Sequence, residues 1–470
     1  MLGRGHSTRS TALDTRTYRW KVRRLIGSLA LASSCLVTGA VLATPAGSVA
    51  TAPVWPLIVT NVKVDTVSVV GPTGTTTLNV GKAPSGVAVT PDGLYAYVVN
   101  RGSHDLSIID GPATATPTVS PMTVPVGSKP VTIAITPDGQ YAYVPNAFSN
   151  TVTVVAGVDS PTPTVLTTLK VGSQPIGVAI TPDGRYAYVA NANSDTLSVI
   201  DNADTTSPTV SPTPLVVGTN PALPAITPDG RYLYVATTAL DVIAVVDNAD
   251  SASPSVSPTT LPVGSGPIGI GITADGQYAY VANGVSNNVS VIDNVDSATP
   301  SVSPTLLAMG SGNPDRLAVS PDAKFVYVGK SLTSSVKVIT GAGTGSPAVF
   351  KTPITVGGGP LGIAEVPDQA PVASFLVRPA AHGSPTTLNA TASTVAFGSI
   401  TSYAWTFGDG HSVTTTTPRV THVYAAAGSY PVSLIETDSA GTSTTVAFTG
   451  QTVSRHGGPS ASTTRTAVIP

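Results

Sequence analysis

The chain has 470 residues, of which 10% are charged, with a formal charge of −2 and a single cysteine. That balance carries no basic footprint for nucleic acid, and one cysteine excludes a disulfide-stapled fold. Thr, Ser, Pro, Gly and Val dominate instead, a composition that suits an extracellular protein.

At the N-terminus, Arg19, Lys21, Arg23 and Arg24 precede an apolar stretch from Leu25 to Ala43, and Ser48-Val49-Ala50 offers small residues for cleavage before Thr51. The pattern predicts a signal peptide over residues 1–50. An uncleaved anchor is the competing reading, because the stretch approaches the length of a bilayer span. Ser33, Ser34, Thr38 and Gly39 lower its hydrophobicity and favour cleavage. The lone Cys35 would leave with the signal, and the remaining chain carries 16 basic and 24 acidic residues, formally −8. No later segment is long and apolar enough to span a membrane, so the expected location is secreted or at the cell surface.

From residue 51 to 369 one motif recurs seven times, centred on Asp92, Asp138, Asp183, Asp229, Asp275, Asp322 and Asp368, at spacings of 46, 45, 46, 46, 47 and 46 residues. The copy around Asp183 sets the pattern. Pro175 to Ile180 predicts strand A, Pro182-Asp183-Gly184 a turn, Tyr186 to Ala190 strand B, Thr196 to Asp201 strand C, and the stretch before the next copy strand D. Four antiparallel strands in a period of about 46 residues make a propeller blade. The seventh copy stops after strand A, and the missing strands sit at Leu57–Asn61, Asp65–Val70 and Thr75–Val80. The sequence therefore predicts seven blades, the last closed by N-terminal strands, which removes an exposed sheet edge.

The segments Tyr97-Val98-Val99-Asn100, Tyr188-Val189-Ala190-Asn191 and Tyr280-Val281-Ala282-Asn283 resemble the YVTN family of β-propeller repeats, over roughly 57–368. Two copies depart from it: Thr237 stands in place of the Asn in one, and Lys330 in another.

Beyond residue 370 the period ends. Trp405-Thr406-Phe407-Gly408-Asp409-Gly410, with His422-Val423-Tyr424 and Gly428-Ser429-Tyr430-Pro431-Val432 downstream, resembles a PKD domain. The resemblance implies a small immunoglobulin-like β-sandwich over 370–454, in which Trp405 and Phe407 read as core aromatics and Asp409-Gly410 as a hairpin turn. Residues 455–470 read as a flexible tail. The whole is an all-β chain.

Chemistry is sought on the ring's rim formed by the B–C and D–A loops, where Arg101, His104, Asp105, Phe148, Asp195, Asp241, Asp315, Arg316 and Lys330 fall. Arg101, His104, Asp105, Asn146, Asn191, Asn283 and Lys330 are the candidate ligand-binding residues, and solvated loop tips or turn-closing amides are the bland alternative. The Asp201/Asp204, Asp247/Asp250 and Asp293/Asp296 loops each place oxygen ligands within four residues, so calcium is the one candidate cofactor, although Asx turns explain the same letters. With one His and one Glu in the propeller, no catalytic constellation is visible. The expectation is a non-enzymatic binding or scaffold protein that contacts cell-envelope polysaccharide or surface proteins. Seven-bladed lactonases and lyases exist, so an enzyme acting on a small molecule at the central rim is the alternative by fold analogy.

Overall fold

The computed structural model describes residues 56–71, 74–395, 399–439, 441–444, 447–448, 453–454 and 459–470. The expected signal peptide lies outside them. Among the described residues no helix is long and apolar enough to cross a membrane.

Seven four-stranded antiparallel units follow one another in the order the period predicts. Blade 3 is typical: strand A is Pro175–Ile180, B is Tyr186–Asn191, C is Thr196–Asp201, and D is split into Thr209–Val210 and Leu215–Val216. In the seventh sheet Pro360–Glu365 pairs with Leu57–Asn61, in register Leu57↔Glu365, followed by Thr66–Gly71 and Gly74–Asn79. The two ends of the ring's chain thus share one sheet.

The recurring letters have recurring tasks. In each Pro-Asp-Gly turn the preceding hydroxyl bonds the Asp carboxylate (Thr227 Oγ1 to Asp229, 2.6 Å), the same carboxylate accepts a backbone N–H two residues on (Arg231 N, 3.0 Å), and Gly230 takes φ +83°, a region open to Gly at no steric cost. The first Tyr–x–Tyr residue starts strand B, and the second tethers neighbouring blades. Tyr143, Tyr188 and Tyr234 are fully buried and donate their hydroxyls to the carbonyls of Ala203, Ala249 and Val295 in the next blade, at 2.7–2.8 Å. Each such bond contributes about 0.5–1.5 kcal/mol net. Apolar strands B and C fill the space between blades, so the core is a series of inter-blade layers.

The second domain is a sandwich of a three-stranded sheet (Leu376–Arg378, Pro385–Asn389, Arg419–Val423) and a four-stranded one (Ser412–Thr415, Ile400–Thr406, Gly428–Asp438, Ser462–Ile469). Trp405 and Phe407 are buried between them with Phe375, Tyr424 and Leu434, and the Phe375 and Trp405 rings meet edge to face at 5.2 Å. One expectation is corrected here. The segment read as a flexible tail ends in strand Ser462–Ile469, paired along its whole length with Gly428–Ile435. Its Thr and Ser residues suggest a tail, but Thr464 to Thr466 are exposed on a strand whose Ala467 and Ile469 enter the core.

Candidate active site in the propeller channel

The seven A strands surround the ring axis and enclose a cavity of about 200 Å³. Aligned, they read Pro-Ser-Gly, Pro-Val-Thr, Pro-Ile-Gly, Pro-Ala-Leu, Pro-Ile-Gly, Pro-Asp-Arg and Pro-Leu-Gly from Pro84, Pro130, Pro175, Pro221, Pro267, Pro314 and Pro360. The third position forms one layer: Gly86, Thr132, Gly177, Leu223, Gly269, Arg316 and Gly362. Glycine recurs there because adjacent backbones crowd the axis. A Cβ on Gly177 would lie 2.5 Å from the Ala222 carbonyl, and one on Gly362 would lie 2.5 Å from that of Ser85. Thr132 instead donates to the Ile176 carbonyl of the next blade, at 2.9 Å.

Arg316 is the charged exception in this layer. Its side chain, 12% exposed, reaches from blade 6 toward blades 1 and 2, where Nη1 donates to the carbonyls of Ser85 (2.9 Å) and Val131 (3.4 Å). Its Nε makes no hydrogen bond and lies 3.9 Å from Oδ1 of Asp315, itself only 17% exposed. Burial raises the Asp315 carboxyl above the usual carboxylate range, and the neighbouring guanidinium opposes that shift. Burial likewise lowers the Arg316 pKa, Asp315 counteracts it, and the positive charge of Arg101 adds to the lowering. Apart from Thr132, the remaining side chains of the channel wall are apolar, including Ile133, Ile180, Ile226, Ile270 and Ile363. A guanidinium in such a site binds oxyanions strongly, because little water competes.

A second exception ends strand A of the closing blade. Where the other six blades carry Val89, Ile135, Ile180, Ile226, Ile272 and Val319, this one carries Glu365. It is 1% exposed, and neither oxygen has a hydrogen-bond partner among the described residues. Burial first, and then the charge of Asp322, push its carboxyl well above the usual range.

The residues singled out from the sequence are distributed around the ring. Asn100, Asn146, Asn191, Asn283 and Lys330 end strand B of different blades. Asn146 and Asn191 are fully buried, and each donates to two hydroxyls of strand C: Thr151 and Thr153 at 3.2 and 2.9 Å, Thr196 and Ser198 at 3.3 and 3.0 Å. Asn283 meets Asn288 and Ser290 in the same way. This is the turn-closing role of a buried amide. Lys330 preserves a donor in blade 6: it is buried, burial lowers its pKa, and Nζ donates to the Met309 carbonyl at 3.1 Å. Arg101, His104 and Asp105 share one exposed turn, in which Asp105 accepts from Asn100 (2.7 Å) and Ser103 (2.9 Å) and His104 takes φ +64°. The Asp201, Asp247 and Asp293 carboxylates end strand C, with Asn202, Asn248 and Asn294 at positive φ. Asp204, Asp250 and Asp296 follow in the same turns, stacked against Gly184, Gly230 and Gly276 of the Pro-Asp-Gly or Ala-Asp-Gly turns.

Fold and site together define a seven-bladed propeller with an axial cavity guarded by one buried cation. A family model described as lactonase, 7-bladed beta-propeller, matches residues 60–160, 111–222 and 222–360, and the chain belongs to that family. A PKD domain model matches residues 368–453. Among solved structures, the periplasmic gluconolactonase PpgL of Pseudomonas aeruginosa is similar at 18% identity with TM-score 0.55, over 66% of this chain and 99% of that one. A candidate 6-phosphogluconolactonase from Bacteroides uniformis is similar at 18% identity with TM-score 0.57, over 66% and 98%. A protein of unknown function from Desulfotomaculum acetoxidans, at 18% identity and TM-score 0.56, covers 66% and 99%. No curated protein matches the chain in sequence.

Membership of the lactonase family overturns the expectation of a non-enzymatic binding or scaffold protein. That expectation rests on the propeller's single His and single Glu. The channel's Arg316 and its neighbour Asp315 are expected in a D–A loop, whereas the structure puts both inside strand A, Pro314–Val319. The signal that could have found them is the alignment of the seven Pro-x-x triplets, in which Pro314-Asp315-Arg316 is the one charged copy.

Proposed function

We propose that the protein hydrolyses the lactone of a small sugar acid in the axial cavity. The carrying observation is Arg316, a buried guanidinium with an unpartnered Nε at the axis of a lactonase-family propeller. The gluconolactonase names of the structural neighbours support the substrate class. A cavity near 200 Å³ is smaller than the roughly 300–1,000 Å³ of drug-sized sites and suits a single ring.

In this reading water adds to the lactone carbonyl carbon, the ring C–O bond breaks, and the ring oxygen leaves as the product hydroxyl. Arg316 donates to the carbonyl oxygen as it gains negative charge, and then to the product carboxylate. The attacking water gives up a proton as it adds, and the ring oxygen takes one up as it leaves. We propose further that the protein is exported, on the signal-like pattern of residues 1–50. The test is ring opening of gluconolactone and of its 6-phosphate, followed by acid release at constant pH. Hydrolysis above the spontaneous rate that collapses in Arg316→Ala supports the reading. Spontaneous rates with both lactones, or an unaffected Arg316→Ala enzyme, reject it.

A further inference from the structure

The sandwich domain contains a cluster of side chains unrelated to the propeller channel. Strand Ile400–Thr406 turns into Ser412–Thr415 through residues 407–411, closed by Phe407 N–H to the His411 carbonyl at 3.0 Å. At the tip of this turn Asp409 projects toward His422 of strand Arg419–Val423, with Oδ2 at 2.7 Å from Nε2. Its other oxygen, Oδ1, lies 3.3 Å from Nδ1 of His411. The ligand-bearing atoms of all three residues lie within 4.8 Å of one another, and among the described residues this is the one such group of three. The sequence reading had treated Asp409 as part of a hairpin turn alone.

Two of the three groups are already oriented. The His422 ring stacks on Phe407 at 4.0 Å with 2° between planes and meets the edge of Tyr424 at 4.6 Å, so its Nε2 is held toward Asp409. Asp409 is oriented too, because its Oδ1 accepts the His411 backbone N–H at 3.1 Å. His411 is 75% exposed and free to rotate onto the site from the solvent side.

We propose that Asp409, His411 and His422 bind a first-row divalent transition ion, Zn²⁺ foremost. Two imidazoles and one carboxylate are a donor set for Zn²⁺, Ni²⁺ or Cu²⁺; Ca²⁺ and Mg²⁺ prefer oxygen ligands throughout. Ligand bonds of about 2.0–2.2 Å need only a small widening of contacts that are now hydrogen bonds. Three protein ligands leave one coordination position for water on the exposed side. Because Asp409 and His411 lie in the turn joining two strands of the four-stranded sheet and His422 in a strand of the three-stranded one, the ion cross-links the two sheets, in a domain without cysteine.

The test uses untagged protein stripped with a chelator and titrated with Zn²⁺ by calorimetry, with Co²⁺ absorption as a second readout of the ligand field. One equivalent per chain is expected. With free Zn²⁺ at about 100 times Kd the folded-to-unfolded ratio of the sandwich rises about 100-fold, whereas Ca²⁺ at equal concentration gives no shift. His411→Ala should leave the metal-free melting temperature unchanged and weaken Zn²⁺ at least about 10-fold, the loss already seen for residues one shell further out. Zn²⁺ without effect on melting, or bound equally well by His411→Ala, overturns the proposal.

Discussion

Blades 3 and 6 have the same strand order, and each buries the second tyrosine position of strand B, Tyr188 and Tyr327, yet they differ at the axis. In blade 3 the axial layer is Gly177, pressed against the Ala222 carbonyl; in blade 6 it is Arg316, stretched across the axis to Ser85 and Val131. A repeat satisfies its structural needs at every copy, so a copy that departs at a crowded position, and keeps the fold, marks where selection acted on something other than stability. In a repeat protein the exception is more informative than the consensus.

Four experiments break or sharpen that contrast. The largest effect is expected from Arg316→Ala, which removes the oxyanion donor and should cut kcat/KM about 100- to 1,000-fold, with melting nearly unchanged; a large loss of stability with normal turnover would make Arg316 an axial brace instead. Gly177→Ala puts a methyl where blade 3 has no room, at a cost of about 1–3 kcal/mol in chemical denaturation. Glu365→Ile gives the closing blade the residue type of the other six and removes two unpartnered buried oxygens, so stability should rise by about 1–3 kcal/mol. A fall would show that the carboxyl serves the fold.

The last of the four concerns pH. Burial is the main cause that raises the Asp368 carboxyl to about 8, at the start of the linker to the sandwich, where it accepts a hydrogen bond from Thr442. Its folded pKa lies above the unfolded one of about 4. The native state therefore holds the proton more tightly, and the stability this contributes is complete below pH 4 and lost as pH rises through 8. Melting of the wild type should fall across that window, and Asp368→Asn should flatten the profile.

The fold was readable in the sequence because each blade restates it. Pro-Asp-Gly fixes the turn in four blades, with Ala-Asp-Gly and Pro-Asp-Ala in two more, and the buried Tyr and Asn recur in most blades at the inter-blade bond and the closed B–C turn. The site was not readable in the same way. Arg316 and Asp315 were noticed as rim charges, but whether a residue at the start of an edge strand faces solvent or the axis depends on seven strands converging. The Asp409–His411–His422 cluster was hidden for a similar reason, since His422 comes from the opposite sheet. The last strand, Ser462–Ile469, was missed because a polar edge strand and a linker share a composition, and only its partner Gly428–Ile435 distinguishes them.

The shared seventh blade also dictates timing. Leu57 cannot meet Glu365 until nearly the whole ring has been synthesised, so the propeller stays an open arc with two bare sheet edges through most of its synthesis. The shared blade also sets a limit on trimming: processing that stops before Leu57 leaves a finished ring, and processing that removes Leu57–Asn61 leaves Pro360–Glu365 as an edge that recruits a neighbour's strand.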